Sequence, residues 1–311
     1  MPAITVSIAA HYVPRRVEYL AHVLLAISRW QGWDVTVYLD TNDLALADDP
    51  ALAGATAAVQ ARGFTLCCDV AHGMAHPWHL TWWHKPRLRE WAAQGGDAAD
   101  LFIYIEDDIV ITQENLAYFI HTLPLAREQG RIPGFLRYEL ADDGTVMTPD
   151  ARGCQQVTAA ERLVLGGQDF IAPHWPYWAG FVLDRELVSE YLASPWADLE
   201  QADRLPQSHN HSCRVQSAWA LTYAAVPPGA HSRYVVPVDP YLDPLPECLV
   251  WHSANNYVRS KQHNFGTVRM ADMYRASALG ARFYNLRWKA QAFARRVGDK
   301  VRREAAKISK G

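Results

Sequence analysis

The first third of the chain alternates between two hydrophobic periods. Ile4-Thr5-Val6-Ser7-Ile8-Ala9-Ala10 is a short apolar run and reads as a buried strand. Arg15 to Trp30 follows with apolar residues at helical spacing. Val35-Thr36-Val37-Tyr38-Leu39 predicts a second strand that ends at Asp40, and Pro50 to Arg62 is Ala-rich and helical. Phe64 to Val70 predicts a third strand. Trp82 to Ala93 predicts a third helix, with Pro86 suited to its first turn. Leu101-Phe102-Ile103-Tyr104-Ile105 predicts a fourth strand, and it runs directly into Glu106-Asp107-Asp108. Repeated β-α units with near-continuous apolar strands imply a mainly parallel sheet flanked by helices. In such sheets ligands gather outside the carboxyl ends of the strands.

Beyond the triplet the alternation loosens. Asn115 to Gln129 predicts a helix and Gly134 to Leu140 a strand. Ala141 to Pro176, rich in Gly, Asp and Pro, reads as an irregular insertion. Trp178 to Leu183 predicts a strand, Arg185 to Leu192 a helix, Arg214 to Ala225 a helix, and Leu249 to His252 a short late strand. The tail is different in kind. From Ala281 to Gly311, Lys and Arg far outnumber Asp299 and Glu304, while Phe283, Leu286, Trp288, Phe293 and Val297 fall on roughly one helical side. That pattern suits a terminal helix packed on the body with a basic outer face. The second reading, after that one, is a helix lying on an anionic membrane surface.

Composition narrows the class. Half of the 311 residues are hydrophobic, enough for a sizeable core, and the net charge of −3 offers no positive field for a nucleic-acid partner. No apolar run reaches the roughly 18 residues of a membrane span. Five cysteines without a C-x-x-C spacing point away from a disulfide framework and towards a reducing cytoplasm. The chain begins on a strand-like segment, without the basic start of a signal peptide. The histidines 72, 76, 79 and 84 lack regular ligand spacing, and Gly95-Gly96 and Gly166-Gly167 lack the Lys and Ser or Thr of a phosphate loop.

The triplet carries the chemistry. Three adjacent acids repel one another unless positive charge sits among them. If strand alternation persists past Ile105, Glu106 and Asp108 share one side. Hard oxygen ligands at that spacing suit Mg²⁺ or Mn²⁺. The plainer alternative is a solvated turn capped by Thr112 or Asn115.

A strand running into E-D-D after about a hundred residues of β-α alternation resembles the D-x-D motif of GT-A glycosyltransferases. The resemblance covers residues 4 to 260 and departs from strict D-x-D in having Glu first. It implies a GT-A type, Rossmann-like α/β fold with a C-terminal helical tail. Residues 1–125 would form the nucleotide-sugar and metal-binding lobe, 126–265 the acceptor lobe, and 266–311 the basic tail. It further implies Mn²⁺ or Mg²⁺ on the donor diphosphate, with Glu106, Asp108 and a late His252 as ligands and Asp107 beside the donor. Ala10, His11 and Tyr12 would meet the base and ribose, as would Asp40. Lys85 and Arg89 would contact the donor, and Lys261, with Asn255 and Asn256, the phosphates. Gln216 resembles an amide found in some retaining families, and Glu200 and Asp203, with Asp198, are candidate bases. Trp175, Tyr177 and Trp178 would serve as sugar platforms. The expected function is sugar transfer from a nucleotide-sugar donor to a glycan or glycolipid acceptor, with the tail as a candidate contact to the inner membrane face. A nucleotidyltransferase and a non-catalytic sugar-binding protein stay open as alternatives. His11-Tyr12-Val13-Pro14-Arg15-Arg16 has arginines but not the glycines of a nucleotidyltransferase loop.

Overall fold

The computed structural model describes residues 1–150, 158–159, 161–173, 175–208, 211–260 and 268–275, together with Gly266, Leu286 and Ala290. Apart from Leu286 and Ala290, the expected tail helix lies outside the described residues, as does Lys261.

The first half follows the predicted alternation: β1 (Ala3–Ala10), α1 (Val17–Ile27), β2 (Asp34–Thr41), α2 (Ala53–Ala61), β3 (Thr65–Val70), α3 (His84–Ala93) and β4 (Leu101–Glu106). The remaining strands are β5 (Ile109–Val110), β6 (Ile132–Pro133), β7 (Leu136–Leu140), β8 (Val146–Thr148), β9 (Thr158–Ala159), β10 (Glu161–Leu165), β11 (Gln168–Ala172), β12 (Gly180–Asp184), β13 (Tyr234–Pro237), β14 (Leu249–His252), β15 (Val268–Arg269) and β16 (Tyr274–Arg275). The later helices are α4 (Gln113–Arg127), α5 (Arg185–Leu192), α6 (Leu199–Asp203), α7 (Cys213–Ser217) and α8 (Asn256–Arg259).

The main sheet has the order β12-β4-β1-β2-β3. β1, β2, β3 and β4 are parallel and β12 is antiparallel to β4. The apolar run of β1 is explained by its place: it is central, and Val6 and Ile8 are fully buried. Helices α1 and α2 pack beside each other, as do α3 and α5. The protein is thus an α/β fold with mixed sheets flanked by helices.

Close approach at β12 requires a glycine. A Cβ on Gly180 would stand 2.6 Å from the Tyr104 carbonyl oxygen. A second sheet, β15-β8-β7-β14-β5, holds β14 parallel to β7 and antiparallel to β5. A third, β10-β11-β13-β6, contains a segment that the sequence reading assigned to irregular structure. β10 and β11 form a hairpin closed at Leu165↔Gln168, with Gly166 and Gly167 both at positive φ (56° and 86°). A two-residue turn of that kind favours glycine at both positions.

The helix expected over 214–225 is also corrected. It stops after α7 at Ser217, and Ala220 and Ala225 adopt positive φ (43° and 46°), so the chain turns repeatedly instead. In α4, Thr112 and Asn115 form a capping box, which fixes the start of the helix just after the triplet. Among the described residues no helix is long and apolar enough to cross a membrane.

Candidate functional site

The chain steps from β1 through β2 to β3 in one direction and then places β4 on the other side of β1. This reversal opens a crevice at the carboxyl ends of β1 and β4, where open α/β sheets bind ligands. A cavity of about 260 Å³ lies there, lined by Ala9, His11, Arg16, Trp78, Glu106, Asp107 and Arg214, among others. Trp78 is half exposed at its mouth (49%), on a short turn capped by His76.

β4 ends at Glu106, so strand alternation does not carry through the triplet. Glu106 faces one arginine, while Asp107 and Asp108 share another. Glu106 accepts hydrogen bonds from Arg214 through Nε (2.9 and 3.1 Å) and through Nη2, and from the Tyr177 hydroxyl at 3.1 Å. Asp107 accepts from Arg16 Nη2 (2.5 Å) and Nε (3.2 Å). Asp108 Oδ2 accepts from Arg16 Nη2 at 2.9 Å and stands 3.2 Å from His252 Nε2. Asp108 Oδ1 is buried with no hydrogen-bond partner.

His252 reaches Asp108 because β14 pairs with β5, aligning His252 with Ile109, while Ser253 N–H donates to the Asp108 carbonyl at 2.8 Å. The other ring nitrogen, Nδ1, lies 2.5 Å from Glu139 Oε1. Glu139 is itself pinned by the backbone N–H groups of Tyr257 (3.3 Å) and Val258 (2.7 Å).

These contacts set the protonation states. Burial alone would disfavour the Asp108 anion, but His252 and Arg16 outweigh it and hold the carboxyl well below the usual range. Burial and the neighbouring Asp108 raise Asp107 despite Arg16. Burial would depress His252, but Asp108 and Glu139 outweigh it and raise the imidazole to about 9.

Of the expected ligand trio, the structure brings two side chains together. Asp108 and His252 meet, but Glu106 is turned to Arg214 and Tyr177. Among the described residues no group of three or more His, Cys, Asp or Glu side chains is arranged to hold a metal.

Other expected donor contacts divide in the same way. His11 lines the cavity, beside Ala9 rather than the buried Ala10. Tyr12 is tied down by its N–H to Asn42 (2.6 Å) and its hydroxyl to Asp49 (3.0 Å). Asp40 is buried under Ser7 and Arg87, the latter at 2.7 Å, and so is not presented to a ligand. Lys85 is buried beneath the rings of Trp82, Phe181 and Tyr191, with Nζ donating to the Tyr191 hydroxyl and the Ser217 carbonyl. Burial lowers its pKa well below the usual lysine value. Arg89 reaches the Ala197 carbonyl at 3.4 Å. One residue inside that pair, Arg87 points to the strand ends instead.

The acceptor-side candidates do not join the cavity lining. Gln216 is buried, with its amide donating to Asp203 (3.2 Å) and the His211 carbonyl (3.3 Å). Asp203 and Glu200 are exposed, Glu200 within 4.0 Å of Arg204, and Asp198 caps α6. Asn255 braces the Leu140 backbone through both its amide atoms (2.7 Å each), and Asn256 is exposed at the start of α8. Trp178 is core, and Trp175 is partly buried against His211.

Sequence reasoning missed Arg16, Arg214 and Glu139. Glu139 carried a signal: an acid within an expected strand, where burial demands a partner. Arg16 and Arg214 carried none beyond their charge. No protein-family model matches the chain, and no curated protein matches it.

Proposed function

We propose that the protein is a glycosyltransferase. It would move a sugar from a nucleoside diphosphate donor to a hydroxyl of a glycan or glycolipid, with Mn²⁺ or Mg²⁺ on the donor diphosphate. The supporting observation is the Asp108–His252 contact at the switch point, with one Asp108 oxygen unpartnered and Glu139 fixing the far side of the imidazole. Ligating histidines commonly donate their second ring N–H to a carboxylate, which orients the ring. Two protein ligands suit these cations, which keep waters and substrate phosphates in the rest of their shell. Asp107 and Asp108 already converge on one positive group, Arg16, so this point favours a cation. Asp108 and His252, which would give up its Nε2 proton on binding, would hold the metal, and the metal would offset charge on the departing diphosphate.

The chain's own residues supply the remainder. Arg214, anchored by Glu106, which also accepts from the Tyr177 hydroxyl, lines the cavity with a planar guanidinium suited to phosphate oxygens. Arg16 stands opposite, partly exposed (30%), and can exchange a carboxylate for a phosphate. Trp78 offers a flat face for a base or sugar ring. In the transfer, the bond from the anomeric carbon to the phosphate oxygen breaks and its electrons leave with the diphosphate. A bond from the acceptor oxygen to that carbon forms, and the hydroxyl proton passes to the departing diphosphate or to water.

Calorimetry with UDP and GDP, with and without Mn²⁺, tests the reading. In Asp108→Asn the Mn²⁺-dependent part of the affinity should fall by more than about tenfold, while the fold stays intact by circular dichroism. Equal Mn²⁺-dependent affinity in the two proteins overturns it. A panel of nucleotide sugars with Mn²⁺, assayed for nucleotide release, then identifies the donor.

A further inference from the structure

The strands that carry Glu139 and His252 have a second face. In β7 and β14 Tyr138 is in register with Trp251, and in β14 and β5 Trp251 is in register with Val110. Pleat alternation sends Glu139 and His252 to the acidic crevice and Tyr138, Trp251 and Val110 the other way. On that side lies a separate cavity of about 580 Å³, more than twice the volume of the crevice cavity of about 260 Å³. It falls within the size range of small-molecule sites.

We propose that this cavity is a second ligand site, one that takes a neutral oligosaccharide. Its floor is an aromatic shelf. Tyr138 and Trp251 are side by side and both partly exposed, and the His22 ring stands 5.2 Å from Trp251. The C–H face of a pyranose packs on such rings. Its rim mixes hydrogen-bonding characters. Arg29 donates, Glu114 accepts, and Gln31 and Gln113 do both. The Gln31 backbone N–H donates to the Gln113 side-chain Oε1 (2.9 Å), which ties the segment after α1 to the start of α4 and fixes that rim.

The balance of rim charge selects the ligand. A nucleotide would bring its phosphates against Glu114, and an apolar peptide segment would strip water from Arg29 and Glu114 without replacing their hydrogen bonds. A neutral polyhydroxyl ligand satisfies both signs. The site does not rest on the donor-site reading, because it shares strands with the crevice but none of its lining.

Neutral tetrasaccharides with α- and β-linked glucose, galactose and mannose serve as probes, titrated into the full chain by calorimetry and saturation-transfer NMR. At least one should bind. Trp251→Ala should weaken it more than tenfold, Trp251→Phe by less, and Arg29→Ala at the rim by several-fold. Asp108→Asn should leave saccharide affinity unchanged, and Arg29→Ala should leave Mn²⁺-dependent UDP binding unchanged. If Trp251→Ala does not fold, the Phe and Arg29 variants carry the test. No binding by any tetrasaccharide at millimolar concentration overturns the proposal. So does binding indifferent to Trp251 and Arg29, binding abolished by Asp108→Asn, or occupation of this cavity by UDP instead.

Discussion

Two buried aspartates stand at strand ends on either side of β1, and each has an arginine. Asp40, at the end of β2, has both oxygens engaged: Ser7 donates to one and Arg87 to the other at 2.7 Å. Arg87 also reaches Asp69 at 2.7 Å and lies 3.9 Å over the Tyr38 ring, so the cluster is saturated. Asp108, after β4, shares one oxygen between Arg16 and His252 and leaves the other with no partner. Their protonation diverges accordingly. Burial raises Asp40 to about 6 despite Arg87, whereas His252 and Arg16 overcome burial and keep Asp108 ionised. The same residue types therefore build a structural clamp in one place and an incompletely satisfied anion in the other. Only the second keeps an oxygen without a partner.

The largest expected effect is on the closed cluster. Arg87→Ala removes the cation from Asp40 and leaves Asp69 without it. Breaking a buried pair from one side typically costs about 3–5 kcal/mol. Urea unfolding at pH 7 should show a loss of that order. The loss should shrink at pH 5, where Asp40 is largely protonated and needs the cation less. A loss under about 1 kcal/mol, the range of surface pairs, would mean the Asp40 cluster is not the clamp that its geometry implies.

Arg16→Ala should behave differently, and this sharpens the contrast. Arg16 is partly exposed, while His252 remains beside Asp108 to hold charge. The stability cost should be about 1 kcal/mol. Removing the competing guanidinium should also strengthen Mn²⁺ binding measured by calorimetry without nucleotide, even as nucleotide affinity falls through loss of a phosphate contact. If Mn²⁺ binds Arg16→Ala no more tightly than the parent protein, the acids do not form a cation site. Asp108 would then be as structural as Asp40.

The contrast also shows what the sequence made legible. β1 to β4 and their helices followed from apolar periodicity, because a parallel sheet covered on both faces writes itself as repeated apolar runs. The strand ends followed too, which singled out Asp40, His11 and the triplet. The direction of each side chain did not. Asp40 and Asp108 occupy equivalent places in the pattern, and their difference lies in contacts from Arg87, Arg16 and His252, all distant in sequence. Lys85 and Arg89 lie one helical turn apart on α3, and Arg87 between them points elsewhere. A basic residue ahead of the fourth strand was legible, but not which of the three faces the strand ends. The hairpin β10–β11 had its glycine pair in plain view, between Leu165 and Gln168. It went unrecognised because the surrounding Asp, Pro and Gly read as loop.

The smallest effect isolates Asp40 itself. Its folded pKa of about 6 lies above the ordinary carboxylate value, so between those two pH values the folded state binds more protons than the unfolded chain. Stability from this group is then fully present below the ordinary value and is lost as pH rises through about 6. Above pH 7 no further change comes from it. Acidification from pH 7 to pH 5 should therefore stabilise the parent protein relative to Asp40→Asn by about 1 kcal/mol, the linkage expected for one group titrating across that interval. Asn cannot titrate, so the difference between the two unfolding free energies cancels the other carboxylates to first order. Chemical unfolding of both proteins at several pH values across the interval gives that difference directly. A difference that stays flat from pH 5 to 7 would mean Arg87 holds Asp40 fully ionised. Asp40 would then stand in the same class as Asp108, whose contribution is already complete above the ordinary carboxylate value, and the distinction between the closed cluster and the open one would fail.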